Sequence, residues 1–110
     1  MNLFEMTNEA ERFSRLLDSG IQVLSEASKE SAENEHALRK AVAIAWVEAP
    51  KGTVPQREAW VESETADLKR ALDLAEGKRY TALEAIRSRR AQLSMLQSLL
   101  AAHRAEVDLA

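Results

Sequence analysis

The 110-residue sequence has no cysteine, two prolines, three glycines and only 5% aromatic residues. Without cysteine there is neither a disulfide framework nor a thiolate metal site, so packing alone must stabilise the chain. Scarce proline and glycine leave few places where a helix would break. No apolar run reaches the roughly 18 residues needed to cross a bilayer, and Met1 to Glu11 mixes acids into its apolar positions where a secretory leader would be basic and apolar. A cytoplasmic, non-membrane location is therefore expected. What is abundant is alanine, at 19 residues, in a chain that is 45% hydrophobic and 30% charged. Alanine favours helix and buries little area. One all-α domain of long, thinly packed helices over residues 1–110 is the reading that follows.

Both prolines and one glycine fall within Ala49-Pro50-Lys51-Gly52-Thr53-Val54-Pro55. Pro50 disfavours helical backbone at Ala49, Gly52 can supply a left-handed turn, and Thr53 with Gln56 reads as a capping box. A first helix is expected over about residues 8–48, opened by Asn8 and Glu11, with the turn at 49–54 and a second helix over about 55–108. Gly20 is a point where the first helix can kink or end.

The second helix carries a repeat every three or four positions: Val61, Leu68, Leu72, Ala75, Arg79, Ala82, Ile86, Arg89, Leu93, Leu96, Leu100, His103 and Val107, with only Thr65 omitted and with Arg79, Arg89 and His103 its polar members. A 3.5-residue period over about seven heptads reads as a coiled-coil seam. The first helix keeps the spacing through Ala10, Phe13, Leu17, Gly20, Leu24, Ala27, Ser31, Asn34, Leu38, Ala41 and Ala45. Folding both about Lys51 makes a long antiparallel hairpin in which Leu96 to Ala110 overhangs the first helix, unless Met1 to Thr7 covers it. That overhang carries one stripe of Leu93, Leu96 and Leu100 and another of Met95, Leu99 and Ala102. So wide an apolar surface predicts a homo-oligomer, a helical bundle or ring, with Ile86, Leu93, Met95, Leu96, Leu99, Leu100 and Val107 at the interface.

Net charge is −3, against a generally nucleic-acid-binding surface, but the distribution is uneven. Residues 1–35 hold eight acids and three bases, whereas Ala85 to Ala105 holds four arginines and no acid. Arg87, Arg89 and Arg90 form either a solvated face paired with the acidic first half or a phosphate-contacting patch. Around the turn, Arg39, Lys40, Trp46, Lys51, Arg57 and Trp60 interleave bases with indoles, as in sites that hold single strands by stacking. The same two tryptophans also suit a plain hydrophobic corner.

Catalytic groupings do not assemble. There is no glycine-flanked serine elbow and no phosphate loop, and the two histidines lack an acid–base partner, so no enzyme and no small-molecule substrate are expected. Glu33 and His36 have the spacing of a di-iron ligand pair, but the surrounding Lys29 to His36 reads as solvated, and no metal or other cofactor is expected.

The segment Lys40-Ala41-Val42-Ala43-Ile44-Ala45-Trp46, followed by a glycine-containing turn and a long helix, resembles small phage recombination mediators of the UvsY type over about residues 39–72. Lys40, Ala41 and Trp46 match that family's Lys-Ala-Arg-Leu-x-aromatic-aromatic segment; Val42, Ala43 and Ala45 depart from it. The resemblance implies an oligomeric, non-catalytic protein of the host cytoplasm that binds single-stranded DNA and helps load a strand-exchange recombinase. Hairpin partners of type VII secretion carry Trp-x-Gly at the turn, where this chain has Trp46-Val47-Glu48. The competing expectation is a structural or regulatory helical protein, such as a virion component or an inhibitor of a host protein, acting through a protein interface.

Overall fold

The computed structural model describes residues 2–109. Two helices, α1 (Leu3–Glu48) and α2 (Val54–Leu109), account for nearly all of them, and no strand occurs among the described residues. The chain is an all-α antiparallel hairpin.

Capping chemistry sets where the helices begin. At α2, the Gln56 amide N–H donates to Thr53 Oγ1 (3.3 Å) and the Thr53 N–H donates to Gln56 Oε1 (3.0 Å), a reciprocal capping box. At α1 the same exchange joins Asn2 and Glu5: the Glu5 N–H donates to Asn2 Oδ1 (2.8 Å) and the Asn2 N–H to Glu5 Oε2 (3.3 Å). Helix α1 therefore starts at Leu3 and not near Asn8. Asn2-x-x-Glu5 has the donor and acceptor set of Asn8-x-x-Glu11, and the earlier pair adds a turn and a half of helix.

The left-handed turn expected at Gly52 is absent, and the open question of whether the first helix ends at Gly20 is answered. Helix α1 runs through Gly20 without interruption. Gly52 has no positive φ, so the turn at residues 49–53 is made without left-handed backbone.

The chain divides into two compact units, each an antiparallel helix pair. The turn-end unit, Ser25–Tyr80, buries Ala27, Ser31, Ala45, Val61, Thr65 and Ala75, with Leu38, Ala41, Leu68 and Leu72 half-buried beside them. These are the expected seam residues together with Thr65, whose hydroxyl donates to the Val61 carbonyl (2.8 Å) and so needs no water. Arg79, assigned to the seam by spacing, is exposed. An unpaired guanidinium is costly to bury, and its long side chain lets it leave the seam.

The terminal unit, Met1–Leu24 with Thr81–Ala110, has the bulkier interior. Met6, Leu96 and Leu100 are buried together, with Ala10 and Phe13 packed against them. Gly20 lies against Ile86, and a Cβ on Gly20 would stand 3.2 Å from Ile86 Cγ1, so this glycine lets the two helices approach closely.

The added N-terminal turns change the overhang. Leu96 and Leu100 were expected to lack an intramolecular partner unless Met1 to Thr7 covered them, and Met6 does so. Leu93 is half-buried and Ile86 is 3% exposed, so four of the seven residues assigned to an oligomer interface belong to the seam within one chain. The other three, Met95, Leu99 and Val107, remain exposed.

Candidate functional site

The cluster at the turn is internally engaged. Helix α1 ends at Glu48, so its last carbonyls have no intrahelical donor. Arg57, from the first turn of α2, donates from Nη2 to the Trp46 carbonyl (2.9 Å) and places its guanidinium 5.6 Å from the centre of the Trp46 ring. A cation at a helix C-terminus is favourable, and the indole face adds a cation–π contact. Arg57 Nε is buried without a hydrogen-bond partner, so this side chain is held within the corner and not extended into solvent. Trp46 and Trp60 are both half-buried, so neither offers a fully open stacking face.

Other turn-region bases are dispersed. Arg39 pairs with Glu35 one turn earlier on the same helix (2.6 Å), while Lys40 and Lys51 are exposed without an ion pair among the described residues. The structure thus brings together Trp46 and Arg57 from the expected set, as a helix cap.

The C-terminal half of α2 is organised differently. Its seam residues Ile86, Arg89, Leu93, Leu96, Leu100 and His103 are buried or half-buried, whereas Val107, also assigned to the seam by spacing, is exposed. Successive helical residues turn by about 100°, so the residues immediately after the seam positions form one flank and those immediately before form the other. The following flank is Arg87, Arg90, Ser94, Gln97, Ala101 and Arg104, all exposed. The preceding flank is Ala85, Ser88, Gln92, Met95, Leu99 and Ala102, also exposed and without a charge. One side of the seam is therefore basic and polar, and the other largely apolar.

On the basic flank, Arg87 pairs with Glu84 (2.8 Å), whereas Arg90 and Arg104 make no ion pair among the described residues. Glu11 and Asp18 follow the seam on α1 and are exposed. Arg89 lies on neither flank; half-buried, it lines a groove with Leu16, Ser19, Gly20, Val23, Ala82 and Ala85. Arg87, Arg89 and Arg90 are adjacent in sequence, yet only Arg87 and Arg90 share a surface. Arg104, the fourth arginine of the acid-free stretch from Ala85 to Ala105, was not grouped with the other three, though its heptad relation to Arg90 sets it on the same flank.

Among the described residues, no three His, Asp or Glu side chains gather as a metal site. Glu33 and His36 are both exposed. No helix is long and apolar enough to cross a membrane. No family model, no curated protein and no solved structure matches this chain.

Proposed function

We propose that this chain is a non-enzymatic, self-associating helical mediator of DNA recombination that binds single-stranded DNA in the cytoplasm and assists loading of a strand-exchange recombinase. The observation that carries the DNA part is the basic flank of α2. Arg87, Arg90 and Arg104, with Ser94 and Gln97 between them, line an exposed face of one continuous helix. Arginine suits phosphate oxygens through its fixed fork of donors, and intervening hydroxyl and amide groups add neutral hydrogen bonds. The resemblance around Lys40, Ala41 and Trp46 supports the recombinase part. Lys40 and Lys51 remain as secondary contacts, and Arg57 is assigned to the fold.

Anisotropy of labelled single-stranded DNA across a salt series tests this reading. Each phosphate contact contributes about 0.7 to the slope of log affinity against log salt. Arg90→Ala with Arg104→Ala is expected to weaken binding at low salt and flatten that slope by about 1.4. Absence of binding at the lowest salt, with the helical spectrum intact, would sink the DNA reading.

A second reading is favoured by the engaged turn: a structural or regulatory protein that acts through protein contacts alone. Trp46 and Arg57 serve each other, and Arg39 and Arg87 already face carboxylates on their own helices. The same titration decides, since this reading expects no salt-dependent binding.

A further inference from the structure

In the terminal unit, α1 and α2 leave a short groove of about 230 Å³ on one side of their seam. Its floor is made of small residues, Gly20 half-buried and Ala82 buried. Leu16 and Val23 from α1 and Ala85 from α2 supply apolar walls, and Ser19 and Arg89 are the polar residues that line it.

Antiparallel register gives the groove two unlike ends. Gly20 lies against Ile86. Four residues back along α1 is Leu16 and three forward along α2 is Arg89, so these two share one end, while Val23 and Ala82 share the other. One end therefore holds a guanidinium and the other is apolar. Arg89 is half-buried and makes no ion pair among the described residues. Partial burial strips water from the guanidinium without supplying a carboxylate, so an anionic oxygen placed there gains charge-assisted hydrogen bonds.

Beyond the charged end the apolar surface stops. Arg12 lies one turn before Leu16 on the same face of α1 and is closed by Glu9 at 3.0 Å, with its guanidinium also over the Phe13 ring. Glu9 is thus committed to Arg12, and Arg89 remains the uncompensated charge of the groove. From Leu16 to Val23 is about 10 Å of helix, and the groove is smaller than the roughly 300–1,000 Å³ of sites that enclose drug-sized ligands. A partner helix laid along this side would run onto the Arg12–Glu9 pair. A short, thin ligand would not.

We propose that this groove binds a single-chain amphiphile with one anionic headgroup, a medium-chain fatty-acid carboxylate. Its carboxylate meets Arg89, and its alkyl chain runs over Gly20 and Ala82 toward Val23. Charge sets the headgroup, because Arg89 is the one charged residue lining the groove. Shape sets the tail, because a floor with no side chain longer than a methyl group admits a thin chain along its length.

Decanoate titrated into the isotope-labelled full chain below its micellar concentration, and followed by amide chemical shifts, tests the proposal. Saturable shifts are expected at Ser19, Gly20, Val23, Ala82 and Ala85, with decanoate binding more tightly than decanol and decyltrimethylammonium binding least. Arg89→Gln should weaken decanoate about fivefold and leave decanol unchanged. Arg70→Gln, at an exposed arginine of the turn-end unit, should change neither. Ala85→Leu, at an exposed position, should fill the groove and abolish both, with helicity by circular dichroism unchanged. If that variant loses helicity, the Arg89→Gln titration decides. No saturable shift at the groove, an equal response to the cationic analogue, or unchanged decanoate affinity in Arg89→Gln would overturn the proposal. So would groove shifts that follow protein concentration and ignore decanoate, which would give the groove to a second copy.

Discussion

Between residues 25 and 80 the seam is made of small or polar side chains, Ala27, Ser31, Ala45, Thr65 and Ala75, with Val61 the only bulky buried one. In the terminal unit the buried set is Met6, Ala82, Ile86, Leu96 and Leu100. The two units share one spacing and one topology, yet they draw on different forces. Small seam residues bury little apolar area, so the turn-end unit relies more on its short covalent connection, the Thr53–Gln56 cap and the Arg57–Trp46 contact. The terminal unit has no covalent closure of its own ends and must hold them by hydrophobic burial. An identical heptad pattern therefore does not imply equal cohesion along a hairpin.

Truncating one seam residue in each unit should break the comparison most visibly. Leu96→Ala is expected to cost about 2–4 kcal/mol, since the thin surroundings of Met6 and Leu100 can relax only in part. Val61→Ala removes two methyl groups and should cost about 1–2 kcal/mol. Urea midpoints at one fixed protein concentration would measure both, concentration being held because association adds to apparent stability. Equal losses would mean that the units do not differ in the way described.

Smaller in effect is the corner. Arg57→Ala should cost about 1–2 kcal/mol, because the Trp46 carbonyl loses a charged donor at the end of α1. Hydrogen exchange should speed up around residues 44–60, with little change beyond residue 81. Uniform acceleration along the chain would show that the cap is not local to the turn-end unit.

The smallest expected effect sets two glycines against each other. A Cβ on Gly77 would meet nothing within 4 Å, so Gly77→Ala should stabilise by about 0.5–1 kcal/mol through helix propensity alone. Gly20→Ala gains the same propensity but puts a methyl 3.2 Å from Ile86, which is itself buried. Its net change should be less favourable than that of Gly77→Ala, as read from thermal midpoints of the two variants. A larger gain at Gly20 would show that Ile86 moves aside freely.

Much of the fold was legible because helix periodicity and capping are local. Both helices, the turn and nearly every seam position follow from spacing, and the Thr53–Gln56 box formed as read. The candidate site was less legible. Arg57 reads as a free base in sequence because nothing local says that the Trp46 carbonyl lies beside it. Likewise Leu96 and Leu100 read as an intermolecular surface until Met6, about 90 residues away, is seen to cover them.

What the linear order of residues determined was therefore the material: two long alanine-rich helices, a break at Pro50 to Pro55, and a heptad stripe on each helix. Those depend on interactions within a few positions of each residue, and local propensity suffices to define them. Tertiary structure decided which of the apolar stripes is covered inside the chain and which remains outside, because a helix surface is used up only when a distant segment arrives to cover it. It also separated Arg87, Arg89 and Arg90, neighbours in sequence, into exposed and groove-lining positions. With the Leu96 and Leu100 stripe covered, the one at Met95, Leu99 and Ala102 remains exposed, and the arginine flank faces the other way.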